Sequence, residues 1–168
     1  MVATAALAGS SQGAQNAKKP RKADVRVSVT TFPKAIVQGD TAGYAVLIQN
    51  LSSVTARNVT FVGVDLNASY CLAEPFDCPA GATLGSLKFL SFEPSQGTCA
   101  ERNAGFSCAL GTMRGRAIAQ ITVQAVPRLI SYQQPTAWGA SAMSSTAERN
   151  YQNNFAEADV YVAVKREP

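Results

Sequence analysis

Hydrophobic and polar residues alternate along much of this chain, and the alternation has the period of a β-strand. Residues 40–50 follow a Gly-Asp turn signal and end in a polar run. Tyr44, Val46 and Ile48 share one face of this segment. Period-two alternation closed by turn residues is typical of a half-buried strand. Residues 56–62 repeat the pattern after a short polar turn, so we predict a hairpin whose apolar face is covered by a second sheet.

Further segments show the same alternation and predict further strands. They are residues 24–30, 87–92, 106–110, 117–126 and 158–164. Residues 35–37 are interpreted as a short continuation of the first strand, and the small, polar residues 137–146 as a strand edge. No segment with a helical period rivals these. About seven short strands separated by polar turns predict an all-β fold, a sandwich of two antiparallel sheets.

The charge is distributed unevenly along the 168 residues, a length that corresponds to one domain with or without a tail. The net charge of +4 resides in the first 22 residues, which hold four basic residues and no acid. These four are Lys18, Lys19, Arg21 and Lys22. The other 11 basic residues are matched by 11 acids, so we expect no basic face on the folded domain and no nucleic-acid partner.

The first 22 residues are predicted to be a basic tail ahead of a sandwich formed by residues 23–168. Residues 1–17 are interpreted either as the end of a secretory signal or as an arm that a partner orders. The four basic residues are candidates for binding a partner, phosphate, anionic lipid headgroups or a nuclear import receptor. The alternative is a solvated linker. No apolar run reaches the roughly 18 residues of a membrane span, although contact with a membrane surface is compatible with the tail.

The four cysteines form two local pairs in a loop-rich part of the chain. They are Cys71, Cys78, Cys99 and Cys108. This grouping favours the disulfides Cys71–Cys78 and Cys99–Cys108, although four cysteines allow three pairings. Disulfides indicate an oxidising compartment, so we expect an extracytoplasmic protein that is secreted, on the cell surface or periplasmic. Reduced thiols or a four-thiolate zinc site are the alternatives, but neither pair has the two-to-four-residue gap usual for zinc.

Several short motifs occur in a fixed order along residues 23–164. They are Asp24-Val25, Gly39-Asp40, Tyr44, Asn50, Ala56, Asn58-Val59-Thr60, Cys108-Ala109-Leu110-Gly111, Gly115 and Asn153-Asn154. As an ordered set they resemble the bacterial and archaeal repeat family called domain of unknown function eleven, whose members are immunoglobulin-like sandwiches on large cell-surface proteins. The resemblance implies an immunoglobulin-like scaffold without catalytic residues.

The chain departs from that family in two respects. After the third strand, the family has an Asp-x-Leu-Pro turn, whereas this chain has Val64-Asp65-Leu66-Asn67 and then a long cysteine-bearing insertion, residues 67–107. Family members usually occur in tandem, whereas this chain holds one copy. A single copy with a tail is closer to a subunit of an assembly than to a repeat in a surface stalk.

Candidate catalytic and metal-binding residues are few. The chain has no histidine, which excludes Ser-His-Asp and Cys-His catalysis. The remaining carboxylate pairs are Glu74 with Asp77 and Glu93 with Glu101. A two-carboxylate mechanism needs a cleft, and no pattern in the sequence defines one. Asp65 and Asn67 have the alternate spacing of calcium ligands, but a turn is the preferred interpretation. We therefore expect no enzyme activity, no metal and no cofactor.

Trp138, the only tryptophan, is a candidate for stacking on a sugar or filling a partner's pocket; the alternative is that it covers the end of the core.

The observations from the sequence together favour a non-enzymatic, extracytoplasmic structural subunit of a filament, a sheath, or an envelope or membrane complex. It would bind protein partners through its tail, its insertion and its sheet edges. The alternative function is an adhesin or carbohydrate-binding module that uses Trp138 and the insertion, and a third is an enzyme with a carboxylate site.

Overall fold

In a computed structural model, which describes residues 21–66, 86–102, 105–127 and 136–163, two β-sheets pack face to face. The strands are β1 (Val25–Phe32), β2 (Ala35–Val37), β3 (Ala42–Asn50), β4 (Ala56–Asp65), β5 (Leu87–Pro94), β6 (Thr98–Arg102), β7 (Gly105–Met113), β8 (Ile118–Pro127), β9 (Thr136–Met143) and β10 (Phe155–Ala163), with one 3-10 turn at Tyr151–Asn154. One sheet has the strand order β1-β3-β8-β5, and the other has the order β2-β10-β9-β4-β7-β6. The predicted sandwich is confirmed, with ten strands in the described residues rather than about seven.

The core lies between the sheets and is lined by the alternating residues of the strands. Tyr44, Val46 and Ile48 of β3 are fully buried, as are Ile121 and Val123 of the neighbouring β8. Burying one face of each strand removes its apolar side chains from water, which is the main favourable term in folding. The predicted apolar face of β3 is therefore confirmed as a buried face.

An aromatic cluster fills the space between the sheets. Phe106 and Trp138, on the six-stranded sheet, stack with ring centroids 5.8 Å apart and planes at 11°. Tyr44 of the four-stranded sheet lies against Trp138 at a centroid distance of 5.2 Å. Gly63 leaves room for these rings, because a Cβ atom at this position would lie 2.5 Å from both Phe106 and Trp138. Ring pairs at such distances add stability beyond the area that they bury.

The predicted hairpin of residues 40–62 is wrong, because β3 and β4 belong to different sheets. The chain crosses between the sheets after Asn50, whose side chain is buried. The Asn50 Nδ2 atom donates to the carbonyl oxygens of Val54, Met113 and Arg114 at 2.7, 3.2 and 3.1 Å. Its Oδ1 atom accepts from the backbone N–H of Ser52 at 3.2 Å. These bonds tie the crossing loop to the turn between β7 and β8.

Two other predictions are corrected by the strand order. Residues 35–37 do not continue β1 in its own sheet; they form β2, which pairs parallel with residues 161–163 of β10 in the other sheet. Residues 137–146 are not an edge, because β9 lies between β4 and β10. Small residues suit this interior position because bulky rings already fill the space on one side of the sheet.

The segment 67–107 contributes to both sheets. Within it, β5 forms an edge of the four-stranded sheet and β6 forms an edge of the six-stranded sheet. Residues 67–85, which include Cys71 and Cys78, lie outside the described residues. The part of the segment that the structure describes is thus built into the sandwich.

We name the end of the sandwich at which β1 begins the proximal end. It is formed by residues 21–24, 50–55, 113–117 and 144–154. β1 and β10 both run from the proximal end towards the opposite end, where β2 joins β10. Arg102 of β6 pairs with Gly105 at the start of β7, so it lies at the opposite end.

Replacing Asn50 with Asp tests the bonds that hold the crossing loop. The new carboxylate oxygen would face three carbonyl oxygens, so three hydrogen bonds are replaced by repulsion between oxygen atoms. We expect the free energy of unfolding to fall by about 3 kcal/mol, measured by chemical denaturation. Gln49→Glu is the matched control, since it makes the same change on the less buried neighbouring side chain. Equal stability of the two variants would contradict the role assigned to Asn50.

Candidate functional site

The carboxylate pairs considered from the sequence do not assemble a catalytic or metal site in the described residues. Glu93 and Glu101 are exposed and lie on edge strands of different sheets. Glu74 and Asp77 fall outside the described ranges. No group of three or more Cys, Asp or Glu side chains that could hold a metal ion is present within those ranges.

Asp65, a candidate calcium ligand, has a structural role. Its side chain is buried, and its Oδ1 atom accepts from the Ser86 hydroxyl at 2.7 Å. Its Oδ2 atom accepts from the backbone N–H of Leu87 at 2.8 Å. The carboxylate thus joins the end of β4 to the start of β5. Asn67, the other candidate ligand, lies outside the described residues.

Trp138 is a core residue, which corrects its candidate role in partner binding. None of its surface is exposed, and its ring contacts Tyr44, Phe61 and Phe106. A sugar or a partner protein therefore has no access to the indole ring. The alternative interpretation, that the tryptophan covers the core, is the one that the structure supports.

The disulfide Cys99–Cys108 is confirmed. The two residues face each other directly in the ladder between β6 and β7, with an S–S distance of 2.02 Å. Cys108 is buried, whereas Cys99 is on the edge strand and partly exposed. The bond therefore attaches the edge strand β6 to the interior of the sandwich. The pair Cys71–Cys78 lies outside the part of the chain that the structure describes and stays a prediction.

Tyr44 carries an ionisable group with a perturbed pKa. Burial raises the pKa of its phenol above the ordinary value of 10.0, and the carboxylates of Asp65 and Asp159 raise it further. The hydroxyl has no hydrogen-bond partner among the described residues. Because the neutral form is strongly favoured, this tyrosine is suited to a core position and not to proton transfer near neutral pH.

The first candidate interaction surface is a groove between β1 and β10, which we call the side groove. Its volume is about 370 Å³, and its walls include Thr30 of β1 and Glu157 and Tyr161 of β10. Among the described strands, β1 is hydrogen-bonded only to β3, and residues 155–160 of β10 only to β9. The side groove therefore has an unpaired backbone edge on each wall.

Of the four edge strands in the described sheets, β1 is the least protected against pairing. Its eight residues keep an unbroken register with β3. By contrast, β5 has an irregularity between Phe89 and Ser91 and ends at Pro94. β2 has three residues and β6 has five. Short, bulged or proline-bearing edges resist the addition of a further strand, whereas a long regular edge accepts it.

The second candidate surface is a cleft at the proximal end, which we call the proximal cleft. Arg21 and Lys22 of the predicted basic tail line it, together with Arg116 and Arg149. Lys18 and Lys19 lie outside the described residues. The sequence analysis missed Arg116 and Arg149, because they are far apart along the chain and no motif marks them.

Comparisons with known proteins identify the fold but not a family. No protein-family model matches the chain, and no curated protein matches it. A cohesin module of a Clostridium perfringens family 33 glycoside hydrolase has a TM-score of 0.51 and 10% identity, over 86% of this chain and 98% of that one. The CARDB domain of the PF1109 protein from Pyrococcus furiosus, solved in complex with di-metal ions, has a TM-score of 0.50 and 13% identity, over 87% and 93%.

A pilin is also similar in structure. BcpA, the major pilin subunit of Bacillus cereus, has a TM-score of 0.54 and 8% identity, over 83% of this chain and 40% of that one. These neighbours confirm the immunoglobulin-like β-sandwich, and identities this low show the fold alone. No described helix has the length and apolar character needed to cross a membrane.

Reduction should destabilise the protein through Cys99–Cys108. We propose measuring it in a Cys71→Ser/Cys78→Ser variant, so that only this disulfide responds. Opening the ten-residue loop from 99 to 108 should lower the free energy of unfolding by about 2–3 kcal/mol, because the unfolded chain gains freedom. Chemical denaturation with and without a reductant measures the difference. Two free thiols in the variant without reductant would contradict the assignment.

Tyr44 should weaken the fold at alkaline pH. Above pH about 10 the unfolded tyrosine loses its proton while the buried one keeps it, so stability falls as pH rises. This one group contributes a slope of up to about 1.4 kcal/mol per pH unit. Unfolding measured at pH 7 and pH 11 should show a smaller loss for Tyr44→Phe than for the natural chain. Tyr161→Phe is the control, since it removes the same hydroxyl group from an exposed side chain.

Proposed function

We propose that this protein is a non-enzymatic structural subunit of an extracytoplasmic assembly. The observation that carries the proposal is the side groove, where the long edge of β1 has no strand neighbour among the described residues. A cohesin module and a pilin subunit are among the structures with this fold. They support an interaction role only as examples of what the fold is used for.

The geometry of β1 suits the addition of a strand. The backbone N–H of Val25 points to the open side and donates to Glu148 Oε1 at 3.1 Å. Alternate residues of a strand direct their N–H groups to the same side, so those of Val27, Val29 and Thr31 also face the side groove. An extended segment placed there can pair its backbone with β1, which is the mode called β-augmentation.

The occupant that we propose is residues 1–20 of a second copy. This segment precedes Arg21, which lies at the proximal end, where β1 begins. Fully extended, its 20 residues span about 66 Å, more than twice the length of β1. The segment therefore has enough length both to leave its own sandwich and to pair with a neighbour. Its many Ala, Gly and Ser side chains are small enough for a narrow groove.

The location that we propose is an oxidising compartment outside the cytoplasm. The disulfide Cys99–Cys108 supports it, because such bonds persist where thiols are not kept reduced. Membership of the domain of unknown function eleven family stays a prediction. The alternative function, a carbohydrate-binding module, loses its main residue because Trp138 is buried.

Removing residues 1–20 tests the proposed assembly. We expect the full chain to form oligomers or polymers, and the shortened chain to be a folded monomer, because every described strand begins after the deletion. Size-exclusion chromatography with light scattering gives the masses, and circular dichroism verifies the β fold. A full chain that is monomeric at high concentration, or a shortened chain that assembles equally well, would overturn the proposal.

A second variant locates the contact in the side groove. Thr30→Lys places a long charged side chain at an exposed position of the groove wall and should reduce assembly to monomers. Thr60→Lys is the matched control, since Thr60 is also exposed but lies on the outer face of β4. Assembly that survives Thr30→Lys and fails in Thr60→Lys would place the contact on the six-stranded sheet.

A further inference from the structure

Four basic residues converge on the proximal cleft, against the expectation of a domain without a basic face. The cleft has a volume of about 840 Å³, and Arg21, Lys22, Arg116 and Arg149 line it around residues 51–54. No acidic residue is among the described residues that line it. The balance of charge over residues 23–168 therefore conceals a local excess of positive charge.

The fold brings these residues together through backbone hydrogen bonds. The N–H of Ala23 donates to the carbonyl of Ala147 at 2.9 Å, and the N–H of Arg149 donates to the carbonyl of Ala23 at 2.8 Å. This short parallel bridge places Arg21 and Lys22 beside Arg149. The positions of three of the cations are thus determined by one pair of chain segments.

Arg116 is fixed to the same cleft by the crossing loop. Its backbone N–H donates to the carbonyls of Asn50 and Ser52, each at 3.0 Å. Its guanidinium Nη1 atom donates to the carbonyl of Leu51. One edge of the guanidinium is thereby anchored, and its remaining N–H donors are available to a ligand. An anchored guanidinium loses less side-chain freedom on binding than a free one.

The acids nearest in sequence are engaged elsewhere. The Glu148 carboxylate is buried, and its Oε1 atom accepts from the backbone N–H groups of Val25 and Arg149 at 3.1 and 3.0 Å, while Oε2 has no hydrogen-bond partner among the described residues. Asp24 Oδ1 accepts from Asn153 Nδ2 at 3.0 Å. Within the described part of the chain, none of the four cations forms an ion pair with a carboxylate. Four cations around one cleft, none of them neutralised by a described carboxylate, attract anions.

The backbone at Arg116 favours another residue type. Its φ of 68° lies in the left-handed region, at the third position of a turn closed by the Ala117 N–H and the Arg114 carbonyl. Glycine adopts this conformation without strain, whereas a residue with a Cβ atom does not. The arginine is therefore not explained by the needs of the turn, and residues in such conformations concentrate at functional sites.

From these observations we infer that the proximal cleft binds phosphate groups of a polyanion. Arginine guanidinium groups match phosphate oxygens in a two-point geometry, and lysine adds a point charge. A cleft with four separated cations fits repeated phosphates rather than one small anion. The phosphates can belong to a soluble chain or to lipid headgroups on a membrane surface, which present the same chemistry.

Titration of the full chain with inorganic polyphosphate and with phosphatidylglycerol vesicles tests the inference. Isothermal titration calorimetry follows the first ligand and co-sedimentation the second, with phosphatidylcholine vesicles as a neutral blank. Binding should weaken as salt is added, because phosphate contacts release counterions. Binding of polyphosphate alone identifies a soluble ligand, and binding of anionic vesicles alone identifies headgroups. Binding of neither overturns the inference.

Two substitutions in the cleft, with a control at the opposite end, distinguish binding at this site from non-specific electrostatic attraction to the protein. Arg116→Gly should weaken binding about tenfold and reduce the salt slope by about 1, while the melting temperature is unchanged or higher, because glycine relieves the backbone. Arg149→Ala should weaken binding by a similar factor. If Arg116→Gly is unstable, the binding measured with Arg149→Ala tests the site instead. Arg102→Ala, at the opposite end, removes the same charge and should leave binding within about twofold of the natural chain. Equal losses at Arg102 and in the cleft would overturn the site.

Discussion

One buried amide holds together the end of the molecule on which the rest depends. Asn50 ends β3 at the point where the chain leaves one sheet for the other, and its side chain donates to three carbonyl oxygens of two separate connections. No apolar side chain can supply those donors in a buried position, where unpaired carbonyls are costly. The same connection accepts from Arg116, so the crossing of the sheets and the shape of the proximal cleft rest on one set of bonds.

The pattern of apolar residues predicted which faces of the strands are buried but not which strands pair. Tyr44, Val46 and Ile48 share a face in the sequence and in the fold, because alternation reports burial directly. The alternation carries no information on the sheet to which the next strand belongs. The short loop between β3 and β4 was therefore interpreted as the turn of a hairpin. β6 was missed for a related reason: it lies at an edge with mostly exposed residues, and an exposed strand has no apolar face to show.

The candidate site was less predictable than the fold. The disulfide Cys99–Cys108 could be predicted from the sequence, because residues that face each other across a short hairpin are also close in sequence. The proximal cleft could not be predicted. Arg116 and Arg149 lie in different loops, which are brought together by the crossing loop and by the bridge at Ala23. Net charge is a sum over the chain, so a net charge of zero over residues 23–168 does not show how the charged side chains are arranged in space. Trp138 shows the opposite error. A single tryptophan in a sequence is easily taken for a binding residue even when, as here, it is buried in the core.

The parallel pairing of β2 with β10 has a mechanical consequence. Ala23 and Ala163 lie at opposite ends of the sandwich, so a tensile load applied between these two residues acts along the strands. Such a load pulls β2 and β10 past each other in shear, and their hydrogen bonds, including that from Gln38 to Ala163, resist it together rather than one after another. The pairing of β2 with β10 therefore resists extension of the sandwich between its two ends.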